Sequence, residues 1–126
     1  MSLLSALNRA GALRTLDHAL ATSLRRLDPS TPDPVLAAAA LASLAVAQGH
    51  AGFDPARPQW LVDADLDWPV PQAWLQALAA SPWVATPDAA ALEAPADVRP
   101  LVLENGLLYL RRYRQYEARL AGQLRR

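Results

Sequence analysis

Residues 34–48 read PVLAAAALASLAVAQ, and this stretch decides the class of fold. Ala and Leu lose little conformational freedom on entering a helix. Here Val35, Leu36, Ala37 to Ala40, Leu41, Leu44 and Val46 make it apolar nearly all round. Such a helix belongs in the middle of a domain, covered by other elements. Asp33 reads as its N-cap, with Pro34 at the first helical position and Gly49 as the C-cap.

Toward the N-terminus, Leu13, Leu16, Leu20, Leu24 and Leu27 recur at three- and four-residue steps. That spacing predicts an amphipathic helix over 12–27 with those leucines facing the core. Leu3, Leu4 and Leu7 suggest a short opening turn or helix. The run Asp28-Pro29-Ser30-Thr31-Pro32 separates the two longer helices, and His18 reads as a surface residue.

Toward the C-terminus, residues 50–70 are irregular and acidic, with Phe53 in a very short strand before Pro55. A third helix fits 71–80, with Trp74, Leu75 and Leu78 inward and Ser81-Pro82 as its stop. Residues 86–100 read as a loop with one helical turn around 89–92. Leu101, Val102 and Leu103 form a strand, and Asn105-Gly106 signals a two-residue type I′ turn. Residues 107–110 return as the second strand. Residues 111–126 then read as an Arg-rich helix with Tyr113, Tyr116, Leu120 and Leu124 on one side. The expected fold is α+β and mostly helical: three to four core helices, a small C-terminal β-hairpin and a trailing Arg-rich helix.

The chain has 126 residues, enough for one domain, and is 52% apolar and 19% charged. Its 27 Ala and 23 Leu, against 7 Val and no Ile, carry the helical bias. Twelve Arg balance twelve acids, so no global positive field draws nucleic acid. The absence of Cys excludes disulfides, Cys-ligated zinc, iron–sulfur clusters and thiol catalysis. No uncharged apolar run long enough for a signal segment precedes Arg9 and Arg14, and the mainly apolar run 35–47 is too short to cross a bilayer. A soluble, cytoplasmic chain with no membrane partner is expected.

The chemistry of catalysis is thin. A phosphate-binding loop of the Gly-x-x-x-x-Gly-Lys type needs a Lys, and the chain has none. His18 and His50 are its only neutral-pH bases. Asp63, Asp65 and Asp67 lack the Gly and the closing Glu of a calcium loop. No catalytic, cofactor-binding or metal-binding residues are therefore expected. Charge is unevenly spread: residues 54–104 hold eight acids and two Arg, whereas 111–126 hold six Arg and one acid. Arg111, Arg112 and Arg114, interleaved with Tyr113, are candidates for nucleic-acid contact; a solvated Arg face with Tyr packed inward is the plainer reading. Trp60, Trp68 and Trp83 lie in or beside loops, near Asp65 and Asp67. A lone loop Trp is more often a core plug than an anchor. As a set bordered by acids, these five residues are the candidate partner-binding site.

The run 100–121 resembles the segment that precedes the motor domains in the RecD family, the alpha subunit of bacterial exodeoxyribonuclease V. The residues that carry the likeness are Leu108, Tyr109, Leu110, Arg111, Arg112, Tyr113, Tyr116 and Glu117. Leu13-Arg14-Thr15-Leu16-Asp17 resembles the family's opening Leu-x-x-Leu-Asp, and Gly49-His50 its step into a short strand. Ala51-Gly52-Phe53-Asp54-Pro55 departs from the compact apolar strand usual there. The resemblance implies an N-terminal docking domain, 1–126, with the motor domains beyond residue 126. It implies a whole subunit that is an ATP-driven 5′–3′ DNA helicase of double-strand-break repair, using ATP and Mg. It also implies a RecC-like gamma subunit as partner within the RecBCD complex, and DNA met through that complex. The alternative is an independent winged-helix-like DNA-binding module, since helices followed by a hairpin fit that outline. Against it, residues 71–80 hold no Arg or Lys to touch phosphate or guanine.

Overall fold

A computed structural model describes residues 2–63, 66–85 and 100–110. Its helices are α1 (Leu3–Arg9), α2 (Thr15–Leu27), α3 (Asp33–Ala47) and α4 (Pro71–Ala80), with a 3-10 turn at Pro58–Trp60. Its strands are β1 (Val84–Ala85), β2 (Leu101–Glu104) and β3 (Leu107–Leu110). The fold is α+β and mostly helical. The expected helical turn at 89–92, the trailing helix at 111–126, and Asp65, Arg111, Arg112 and Arg114 lie outside the described residues.

The alanine-rich helix occupies the centre. Every residue of α3 from Val35 to Ala45 is buried, and α1, α2, α4 and β3 all pack on it. Small side chains let these neighbours approach closely on several sides at once. The Asp33 carboxylate does not cap its own helix, as the sequence suggested. It accepts the Leu3 backbone N–H at 2.7 Å and so ties the start of α1 to the start of α3. Past the helix end Gly49 takes φ 91°, and the His50 N–H reaches the Ala45 carbonyl at 2.9 Å. A left-handed residue after the last turn satisfies carbonyls that would otherwise be orphaned.

The leucine stripe of the first long helix is not its core stripe. Asp17, Ala21 and Leu24 are the buried residues of α2, whereas Leu16 is 64% exposed and Leu27 73%. At about 100° per residue, Leu16 and Leu27 lie roughly 80–100° round the helix from Asp17. The cause is a polar lock. The Ser43 hydroxyl of α3 donates to Asp17 Oδ1 at 2.7 Å, and the small Ala21 side chain lies beside it on the face turned toward α3. The helix also starts later than the spacing predicted. Gly11 turns the chain with φ 71°, and the Arg14 N–H donates to Asp17 Oδ2 at 2.9 Å at the start of α2.

The hairpin is where the sequence placed it. β2 and β3 pair antiparallel around Asn105 and Gly106, whose φ values of 56° and 76° are those of a type I′ turn. The sheet holds a third strand that the sequence did not suggest: β1 pairs parallel with β2, Val84 opposite Leu101. Two residues behind Ser81-Pro82 are too few to show an alternating pattern, so only the tertiary pairing defines them. Phe53 forms a single antiparallel bridge to Leu108 on the other side of β3, with both hydrogen bonds at 2.8 Å. A Cβ on neighbouring Gly52 would sit 2.9 Å from the Leu108 carbonyl oxygen and 3.0 Å from the Tyr109 ring, so this approach needs glycine.

Candidate functional site

The stretch 54–62 is built as a rigid corner. Asp54 accepts the Ala56 N–H at 2.9 Å through its side chain and the Arg57 N–H at 3.0 Å through its carbonyl. Proline fixes φ where a tight turn begins, and Pro58 opens the 3-10 turn. Its carbonyl then accepts the N–H groups of Leu61 and Val62, both at 3.0 Å. Pro58 and Val62 are buried and pin the corner to the core. Trp60 is thereby held outward, 74% exposed.

The Arg57 guanidinium lies 4.6 Å from the Trp60 ring centroid and meets Asp54 Oδ2 at 3.3 Å. A cation over an exposed indole is worth about 0.5–1 kcal/mol, and an exposed ion pair less. Their effect here is to restrict the Trp60 ring before any partner arrives. His50, Asp54, Arg57, Trp60 and Leu61 border a pocket of only about 60 Å³. That is room for one or two waters, so the corner suits a protein surface better than a small-molecule ligand.

The other two loop tryptophans do something else. Trp68 is half-buried and stacks on Trp74, with ring centroids 6.2 Å apart and planes at 23°. Trp83 donates its indole N–H to Thr31 Oγ1 at 2.9 Å, closing β1 onto the connection between α2 and α3. Both pack against the hydrophobic core. Fully buried Trp74 is the hub of that corner: its indole N–H meets the Pro34 carbonyl at 2.8 Å, and Phe53 stands edge-on at 5.3 Å. Asp67 is exposed near Ser2, which caps α1, and near Leu3 and Ala6 of that helix. The structure therefore leaves Trp60 as the one outward indole of the three expected together.

Sequence reasoning missed the Asp17 cluster. Asp17 is fully buried and accepts from the Arg14 backbone N–H, from Arg14 Nε at 3.2 Å and Nη2 at 2.7 Å, and from Ser43 Oγ. Burial alone pushes its carboxyl up. The hydrogen bonds from the Arg14 side chain, Ser43 and the Arg14 backbone, with the guanidinium charge, outweigh that and hold it below its ordinary 3.8. A usable signal was an acid at the third helical position behind an Arg, with a Ser in the otherwise apolar α3. The cluster is a lock between two helices, with every acceptor already engaged.

Among the described residues, no buried side-chain nitrogen or oxygen lacks a hydrogen-bond partner, and no group of three His, Asp or Glu is placed to hold a metal ion. The same residues include no helix long and apolar enough to cross a membrane. Among the described residues, the features open to a ligand lie on the surface of a small α+β domain. Against known families, residues 9–109 match the N-terminal domain of RecD, a subunit of the RecBCD enzyme. The chain belongs to that family. A search of curated proteins found no match to it.

Proposed function

We propose that this chain is the docking domain through which a RecD subunit joins its complex, and that its partner is a RecC-like gamma subunit. The observation that carries the reading is Trp60: a large aromatic, 74% exposed, held still by a proline turn and a stacked Arg57. Such pre-ordered aromatics concentrate binding energy, because little entropy remains to be lost on contact. The exposed acids Asp63 and Asp67, which follow Trp60 in the chain, would act on orientation and association rate more than on affinity. Trp68 and Trp83, packed against the core, then serve the fold rather than the partner.

In this reading the ATP-dependent 5′–3′ helicase activity of double-strand-break repair, with its ATP and Mg, belongs to the motor domains of the subunit. The domain itself then serves assembly. The test is direct binding of the purified chain to the cognate gamma subunit by pull-down and calorimetry. A saturable complex at micromolar concentrations supports docking. A folded chain that shows no association there overturns it.

A further inference from the structure

The hairpin turn sets side by side two residues that can react with each other. Asn105 and Gly106 are both exposed, at φ 56° and 76°, and a Cβ built on Gly106 would meet nothing within 4 Å. The Gly106 nitrogen is therefore unhindered as a nucleophile toward the Asn105 side-chain amide. In that reaction a bond forms between the Gly106 nitrogen and Asn105 Cγ, and the bond from Cγ to its amide nitrogen breaks. Ammonia leaves, taking the proton of the Gly106 N–H, and a five-membered succinimide ring remains. Water then opens the ring on either side. Breaking the bond at Cγ gives aspartate. Breaking it at the Asn105 main-chain carbonyl gives isoaspartate, whose backbone runs through Cβ and Cγ.

The folded turn opposes the first step. Ring closure needs the Gly106 nitrogen and Asn105 Cβ on the same side of the Asn105 Cα–C bond. At the ψ of about +30° that a type I′ turn sets at its first central residue, the two lie nearly opposite each other. The chain's other asparagine, Asn8, is also exposed, but it lies inside α1 and is followed by Arg9, whose side chain slows attack by its nitrogen.

The sheet depends on this turn. The register that sets Val102 opposite Tyr109 closes through a two-residue loop. Leu101 is the partner of Val84, and Leu108 is the partner of Phe53, so both outer pairings hang on the hairpin. Aspartate keeps the backbone length and tolerates the left-handed φ. Isoaspartate adds an atom to the backbone of the loop, and the same turn no longer closes the register.

We infer that Asn105-Gly106 is a self-modifying site gated by the hairpin: it deamidates through the opened turn, and isoaspartate formation makes the opening permanent. Exposed hairpin ends open locally without unfolding the whole domain. The modification then marks chains whose sheet has opened.

The test incubates the purified full chain in mildly alkaline buffer, with and without denaturant, and follows Asn105 by peptide mapping that separates aspartyl from isoaspartyl products. Asn105 should convert in both, about tenfold or more slowly in native buffer, while Asn8 keeps its amide there. Gly52→Ala, which crowds the Leu108 carbonyl, should speed conversion in native buffer and leave the denatured rate unchanged. Should that variant fail to fold, the two wild-type rates still decide. The isolated isoaspartyl chain should lose the slow amide exchange of Leu108, which Asn105→Asp should keep. Equal rates with and without denaturant would show that the turn does not gate the reaction. No conversion in native buffer after the denatured chain is exhausted would show that the turn does not open. A protected Leu108 amide in the isoaspartyl chain would show that the register survives. Any of these overturns the proposal.

Discussion

Trp74 and Trp60 sit in one small domain in opposite surroundings. Trp74 is fully buried, its ring wedged between Phe53 and Trp68 and its N–H bonded to the Pro34 carbonyl. Trp60 shows most of its surface and is steadied from the side by Arg57. Both come shortly after a proline, Pro71 and Pro58; helical spacing marked Trp74 as inward, whereas Trp60 fell among the loop tryptophans with no pattern to say which way it faced. What separates them is the partner of the indole N–H and the packing on both ring faces, neither of which composition reveals. A structural tryptophan has its polar handle satisfied inside the molecule, and an anchor leaves it for a partner.

The largest effect should come from breaking the buried side of that comparison. Trp74→Ala should cost about 3–5 kcal/mol in denaturant unfolding, through lost burial and the cavity left behind. Trp60→Ala should stay within about 0.5 kcal/mol in the same measurement, as surface changes do. Equal losses at the two positions would erase the distinction.

Next in size is the lock between α2 and α3. Asp17→Ala should cost about 1–3 kcal/mol, since Ser43 and the Arg14 N–H lose their acceptor. Its pH dependence has a definite sign. The folded carboxyl titrates below its ordinary 3.8, so its stabilisation is complete well above that value. It is lost as pH falls from there through the lower folded value. Acid melts of the wild type should show that loss, and Asp17→Asn should flatten it. A variant with the wild-type acid profile would show that Asp17 is not the titrating group.

Smaller effects belong to the hairpin. Gly106→Val places a β-branched residue at φ 76° and should cost about 1 kcal/mol or somewhat more. Gly52→Ala meets the Leu108 carbonyl at 2.9 Å and should loosen the Phe53 bridge, visible as faster amide exchange at Phe53 and Leu108. Unchanged exchange would mean that the strand yields without cost.

How far the sequence could be read depends on how local each signal is. The central helix, α4 with its bounds at 71 and 80, and the Asn105-Gly106 turn are decided by neighbours in the chain, and periodicity and turn chemistry found them. The facing of α2 was not legible. Its leucines spell a stripe, but Ser43, 26 residues from Asp17, sets which side turns inward. The parallel strand Val84–Ala85 escaped for a like reason, because its only reason to be extended is Leu101 and Val102. The candidate site was legible as a list of tryptophans. The Thr31 hydroxyl, 52 residues from Trp83, and the stacking of Trp68 on Trp74 sort that list. Such pairings are tertiary, and no short window of sequence contains both partners.

The docking account is tested most directly by the affinity of the cognate gamma subunit for the wild-type chain, Trp60→Ala and Trp83→Ala, measured by calorimetry at a temperature where each is folded. The account predicts that Trp60→Ala weakens binding by about 2 kcal/mol, roughly 30-fold, with unfolding unchanged. It predicts that Trp83→Ala lowers stability and, where the domain remains folded, leaves affinity near the wild-type value. Wild-type affinity in Trp60→Ala would contradict it.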